Sequence, residues 1–139
     1  MKIMKKLLVM LMLIVTIVVL TACAEGANSS SWRMSVNQSE RSFDGGFEIT
    51  VGSARSGHRN RTVNLTADEL ASIRISSTST DGEIILVISQ DGEEDGTETI
   101  LDISNFTDYI TVANLNPGRI RFSLRFEDIR NSETTIRWR

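Results

Sequence analysis

From about Arg33 onward, apolar and polar residues alternate along the chain. Phe47, Ile49 and Val51 are interleaved with Glu48 and Thr50, Val63 and Leu65 with Thr62 and Asn64, and Ile73 and Ile75 with Arg74 and Ser76. The longest run sets Ile120, Phe122, Leu124 and Phe126 against Arg119, Arg121, Ser123 and Arg125. Successive side chains on a strand point to opposite faces, so each run predicts a strand with one buried and one wet side. Phe122, between Arg121 and Ser123, is an expected core residue, and so is Trp138, which shares parity with Ile136. Ile84 to Ile88 is apolar throughout and suits a central strand covered on both faces, although a short apolar run by itself also fits a helix. Ile100 to Ile103, Tyr109 to Val112 and Thr134 to Trp138 bring the set to about eight strands.

The separators carry turn chemistry: Asp44-Gly45-Gly46, Asp81-Gly82, Asp91-Gly92, Asp95-Gly96 and Asn116-Pro117-Gly118. Only Thr66 to Leu70 reads as helix, one turn long, with Thr66 as its cap and Glu69 three residues on to reach back. Short strands with turns at this spacing predict an all-β domain, a single antiparallel β-sandwich of about eight strands.

The N-terminal pattern is different. Lys2, Lys5 and Lys6 precede an apolar run from Leu7 to Leu20 broken only by Thr16, and the run closes on Leu20-Thr21-Ala22-Cys23. A basic stretch followed by an apolar one has the anatomy of a secretory signal. The run is shorter than the roughly 20 apolar residues of a spanning helix. The small residues before Cys23 resemble the lipobox of bacterial lipoproteins. That resemblance implies removal of residues 1–22, a diacylglycerol thioether on Cys23, further acylation of the new amine, and an anchor on the extracytoplasmic face of the cell membrane. One acyl chain binds a bilayer marginally at about 0.8 kcal/mol per buried CH2, whereas two or more hold it stably. Residues 23–32 then form the lipidated cysteine and a small, polar tether, and residues 33–139 form the domain. The eight residues Ala24 to Ser31 span at most about 28 Å, which keeps the domain near the membrane.

Composition narrows the function. All the lysines lie before Cys23, so the basic residues after it are all arginines, outnumbered by 18 acidic ones. A surplus of negative charge argues against nucleic acid as a partner. Without lysine there is no amine nucleophile, and with Cys23 acylated there is no thiol for disulfide, zinc or nucleophilic chemistry. Arginine keeps its proton, so these residues bind anions or pair with carboxylates but do not act as bases. His58 is the only histidine. No Gly-x-Ser-x-Gly elbow occurs and no spacing singles out a carboxylate pair, so the inventory points away from an enzyme.

Three constellations remain as candidate sites. Arg55, His58, Arg59 and Arg61 lie in a segment with Gly52 and Gly57 that reads as a loop, where guanidinium forks and one titrating imidazole could take a phosphate or carboxylate. Arg119, Arg121 and Arg125 form an outward row that could meet an anionic partner across a sheet face. Asp91, Glu93, Asp95 and Asp102, with Gly96, resemble an EF-hand calcium loop. Glu93 is too long, Asp102 too short, and the flanks read as strands, so a charged hairpin loop is the favoured interpretation and no metal or other cofactor is expected.

After Cys23 the chain resembles the small β-sandwich lipoproteins of bacterial envelopes, a resemblance of length, signal and strand pattern that implies no specific family. The leading expectation is a non-enzymatic, lipid-anchored module that binds an envelope protein or glycan. An anion- or calcium-dependent binding module comes second, and a hydrolase or a lysozyme-inhibitor-like protein last.

Overall fold

The computed structural model describes residues 29–92, 98–112 and 114–139. The Leu20 to Cys23 motif, Glu93 and Asp95 lie outside them. Among the described residues the chain is all-β: β1 (Ser29–Arg33), β2 (Val36–Phe43), β3 (Gly46–Leu65), β4 (Ile73–Thr78), β5 (Asp81–Gln90), β6 (Thr99–Asp102), β7 (Phe106–Ile110) and β8 (Gly118–Arg137), with a short helix α1 (Ala67–Ala71). All pairings are antiparallel.

The strands form one hydrogen-bonded sheet that folds over into a sandwich, and β3 and β8 make the fold possible. They pair from Gly46↔Arg137 to Leu65↔Gly118, with two interruptions. One end of this ribbon is flanked by β2 and by β4 with β7, the other by β1 and by β5 with β6. The first layer is therefore β2-β3-β8-β4-β7 and the second β1-β3-β8-β5-β6, with both long strands shared.

Between the layers the ribbon bends. Pairing lapses opposite Gly52 and Arg55, where Asn131 and Asp128 take left-handed φ of 47° and 49°. Asn and Asp tolerate that region better than other non-glycine residues, and sandwich corners are made where strands switch sheets at such bends. Burial registers the bend as well. Along β3 the inward positions step by two from Phe47 to Val51 and then by three to Ala54 and Gly57, and along β8 they step by three from Phe126 to Ile129 and Ser132. The chain keeps its apolar side inward by breaking the period of two at the corner.

The fold corrects several expectations in detail. Phe47–Val51 and Val63–Leu65 are one strand, and so are Ile120–Phe126 and Thr134–Trp138 up to Arg137. The eight strands are reached because β1 and β2 take the two vacated places. Ser29–Arg33 is a strand paired to β3, so the sheet includes Trp32 and begins earlier than the expected tether boundary. β7 ends at Ile110 and begins at Phe106. β5 buries Ile84, Leu86 and Ile88 fully, while Ile85 and Val87 are only half-covered, because one face of β5 borders solvent. Asp81-Gly82 is a bulge in β5 and not a turn. Gly82 has φ 89°, and a Cβ there would collide with the carbonyls of Glu127 and Asp128.

The core lies between the layers. Phe47 of the first layer meets Phe122 of the second edge to face, with ring centroids 6.0 Å apart, and Trp138 stacks on Phe122 at 5.9 Å. Phe47, Ile75, Leu86, Phe122 and Ile136 are wholly inaccessible. Burying each such side chain stabilises the fold by about 1.5–3 kcal/mol. One polar pair is buried with them, Ser77 and Thr134, whose hydroxyls are 2.8 Å apart. Helix α1 closes one end: Thr66 accepts a hydrogen bond from the Glu69 N–H at 3.3 Å, and Leu70 is buried. The Glu69 carboxylate accepts from Arg139 at 3.1 Å, a contact that joins α1 to the chain beyond β8.

Candidate functional site

The Arg55–Arg61 segment is the middle of β3, so alternation scatters its residues. Arg59 and Arg61 share the inward side with Val63 and Leu65 and reach across to Glu40 on β2 in the other layer. Arg59 Nη2 donates to one Glu40 oxygen at 2.9 Å and Arg61 Nη1 donates to the same oxygen at 2.6 Å. Burial pushes the Glu40 carboxyl up, but hydrogen bonds and charge from Arg59, then Arg61, overcome it and hold the group below its ordinary value. His58 is the cross-strand partner of Ser31 and Arg125 and takes the opposite face. Arg55 is exposed at the corner, in a hollow of about 290 Å³ with Met34, Asp128 and Arg130. The four residues do not converge. Two of them clasp the layers together.

Arg119, Arg121 and Arg125 do point outward, as their parity requires. Arg119 and Arg121 both bind Asp91, at 3.1 and 2.6 Å, whereas Arg125 stands apart beside His58. The same contact occupies the first of the candidate calcium ligands. Asp102 accepts from the Ser104 hydroxyl at 2.6 Å and the Ser104 N–H at 3.0 Å, and these bonds hold its carboxyl below the usual range. Asp91 and Asp102 thus each serve a local structural contact.

A different surface has a more organised chemistry. On the outer face of the first layer, Phe43, Gly46, Arg137, Arg74 and Tyr109 are successive cross-strand partners on β2, β3, β8, β4 and β7. Partners across a ladder point to the same side, so these residues form one row about 19 Å long, four strand spacings. Gly46 makes room for the Phe43 ring: a Cβ there would lie 2.5 Å from it. The Arg137 guanidinium sits 4.8 Å from the centre of the Phe43 ring, and that of Arg74 sits 5.7 Å from Tyr109. Tyr109 is 61% exposed on the edge strand.

The neighbouring row is Arg41, Glu48, Thr135, Ser76 and Thr107. Glu48 pairs with Arg41 at 3.6 Å and accepts from the Thr135 hydroxyl at 3.5 Å. Between the rows lies a hollow of about 290 Å³ lined by Glu48, Arg74, Ser76, Glu133, Thr135 and Arg137. Its lining combines guanidinium donors, carboxylate acceptors and small hydroxyl side chains, and the rings of Phe43 and Tyr109 stand at the two ends of the adjoining row. Sequence reading identified Arg74 as an outward residue, but the register that aligns it with Arg137, Phe43 and Tyr109 is a property of the fold alone.

No family model and no curated protein matches the chain. Among solved structures, the chain is similar to the enzymatically active domain of tailspike protein 4 of bacteriophage CBA120, with TM-score 0.47 and 11% identity over 80% of this chain and 18% of that one. It therefore spans less than a fifth of that structure. It is also similar to the carbohydrate-binding module CBM4, with TM-score 0.38 and 13% identity over 79% of this chain and 82% of that one. A third similarity is to TmCBM61 in complex with beta-1,4-galactotriose, with TM-score 0.37 and 16% identity over 82% and 80% of the two chains.

Proposed function

We propose that this chain is a lipid-anchored, non-catalytic module of a bacterial cell envelope that binds glycan through the outer face of its first layer. The observation that carries the reading is the row Phe43–Arg137–Arg74–Tyr109 beside a hydroxyl-lined hollow. A sugar presents hydroxyls that donate and accept, together with a C–H face that packs on aromatic rings. A surface with donors, acceptors and rings set along one line satisfies both. A shallow, broad face suits an extended chain of sugar units better than a small metabolite, which calls for a deep pocket. The anchor rests on the Leu20 to Cys23 motif, and the preference for binding over catalysis rests on the single histidine and the absence of lysine after Cys23.

Two experiments test the proposal. Mass spectrometry of protein extracted from native membrane is expected to show a chain that begins at Cys23 and carries acyl groups. A free Cys23 thiol or an intact Met1 would overturn the anchor. The mature lipoprotein in detergent, passed over immobilised envelope polysaccharide, is expected to be retained, and Tyr109→Ala with Phe43→Ala to lose retention. Equal retention of wild type and the double variant would overturn the assignment of the face. Retention of envelope proteins and of no glycan would overturn the glycan reading.

A further inference from the structure

We infer that Arg74 and Arg137 form a subsite for an acidic group on the bound glycan, a carboxylate or a phosphate. The inference rests on the glycan-binding reading above and assigns the ligand's charge.

The two arginines are direct cross-strand partners on β4 and β8, and both are exposed on the same face. Like charges directly opposite each other on a ladder destabilise it. Elsewhere, neighbouring arginines in this chain share a carboxylate: Arg59 and Arg61 share Glu40, and Arg119 and Arg121 share Asp91. Arg74 and Arg137 have no ion-pair partner among the described residues. The nearest acidic neighbours do not fill that place. Glu48 is engaged by Arg41 and Thr135. Glu133 lies four residues along β8 from Arg137, about 13 Å at strand rise.

Both guanidiniums are braced. Arg137 rests on Phe43 and Arg74 on Tyr109, which holds each planar group against a ring and leaves its N–H edge free. A guanidinium held in this way gives up less side-chain entropy when it takes a carboxylate or phosphate in a bidentate grip. The hollow beside the pair, lined by Ser76 and Thr135, provides room for the sugar ring or polyol that carries the acid. Glu48 and Glu133 line the same hollow and are placed to accept hydrogen bonds from sugar hydroxyls.

Calorimetry on the mature lipoprotein in neutral detergent tests the inference with three probes of equal length: a neutral galactose oligomer, the galacturonic acid oligomer and a glycerol-phosphate oligomer. At least one acidic probe is expected to bind about tenfold or more tighter than the neutral one, the equivalent of a single charge-assisted hydrogen bond. That advantage is expected to fall as salt rises, because the pair is exposed. The uronate and phosphate arms tell the two acids apart. In R74Q/R137Q the ratio of acidic to neutral affinity is expected to fall to about one, while R74K/R137K, with charge but no fork, recovers only part of it. Circular dichroism of each variant controls for folding. Equal affinity for neutral and acidic probes, or an acidic preference that survives R74Q/R137Q, overturns this inference and leaves the glycan reading standing. Failure of every probe to bind overturns both.

Discussion

Trp32 and Gly57 are cross-strand partners whose contact depends on the missing side chain of glycine: the indole lies where a Cβ on Gly57 would be, with its ring centroid 5.1 Å from that of Phe126. Gly57 is needed here for space, since its φ is not in the left-handed region. Gly57→Ala is expected to push the indole outward and destabilise the domain by about 1–3 kcal/mol, the usual range for overpacking. Chemical denaturation measures the loss, and tryptophan emission should shift to the red. An unchanged midpoint would mean that β1 is not seated as described.

The buried Ser77–Thr134 pair yields a double-mutant cycle. Ser77→Ala or Thr134→Val alone leaves one hydroxyl without its partner in the core, at a cost of about 1–3 kcal/mol. The double variant is expected to cost less than the two singles added, because nothing polar is then stranded. Additive losses would show that the hydroxyls do not depend on each other.

The Glu40 clasp makes stability depend on acid. Its carboxyl is held below the ordinary value in the folded chain, so its contribution is present above the unfolded-state pKa and is lost as pH falls through the folded one. With the Glu40 side chain 26% exposed and its charge partly screened by solvent, Glu40→Gln is expected to cost about 0.5–1.5 kcal/mol near neutral pH. The gap to wild type should narrow as pH drops below the normal glutamate range. A gap that stays constant from neutral to strongly acidic pH would contradict the ionic role.

Phe122 joins the layers through Phe47 and Trp138. Phe122→Ala is expected to cost about 3–5 kcal/mol. A variant as stable as wild type in urea would place the core elsewhere.

Calcium is expected to bind the acidic hairpin weakly at most, since Asp91 already holds Arg119 and Arg121. Calorimetry at physiological ionic strength checks this directly. A sub-micromolar affinity that disappears in Asp91→Asn with Asp95→Asn would reverse it.

Much of the fold is legible in the alternation, because a half-buried strand must alternate whatever its register. Ile120 to Phe126 and Ile73 to Ile75 face inward as their parity dictates. Parity also contained a signal about Arg59 and Arg61: both are in step with Val63 and Leu65, which places them on the inner side of a strand, although glycines and charge make the segment read as a loop. β2 gives no such signal. As an edge strand exposed along most of its length, it carries apolar residues only at its two ends, Val36 and Phe43, and its inward anchor is the charged Glu40. The outer row was out of reach for a different reason. Phe43, Arg74, Tyr109 and Arg137 come from four strands, and no local pattern specifies which residues become neighbours across a ladder.

The sharing of β8 by both layers has a consequence for how the chain acquires its structure. During synthesis β8 is the last strand to appear, yet it lies next to β3, β4 and β5. A chain emerging from its N-terminus displays seven strands before the one that joins them exists, and Gly46 must wait for Arg137. Contacts so distant in sequence close slowly and cannot form piecemeal. The nascent polypeptide therefore completes neither layer until nearly all of it has been delivered, whatever hairpins form before then.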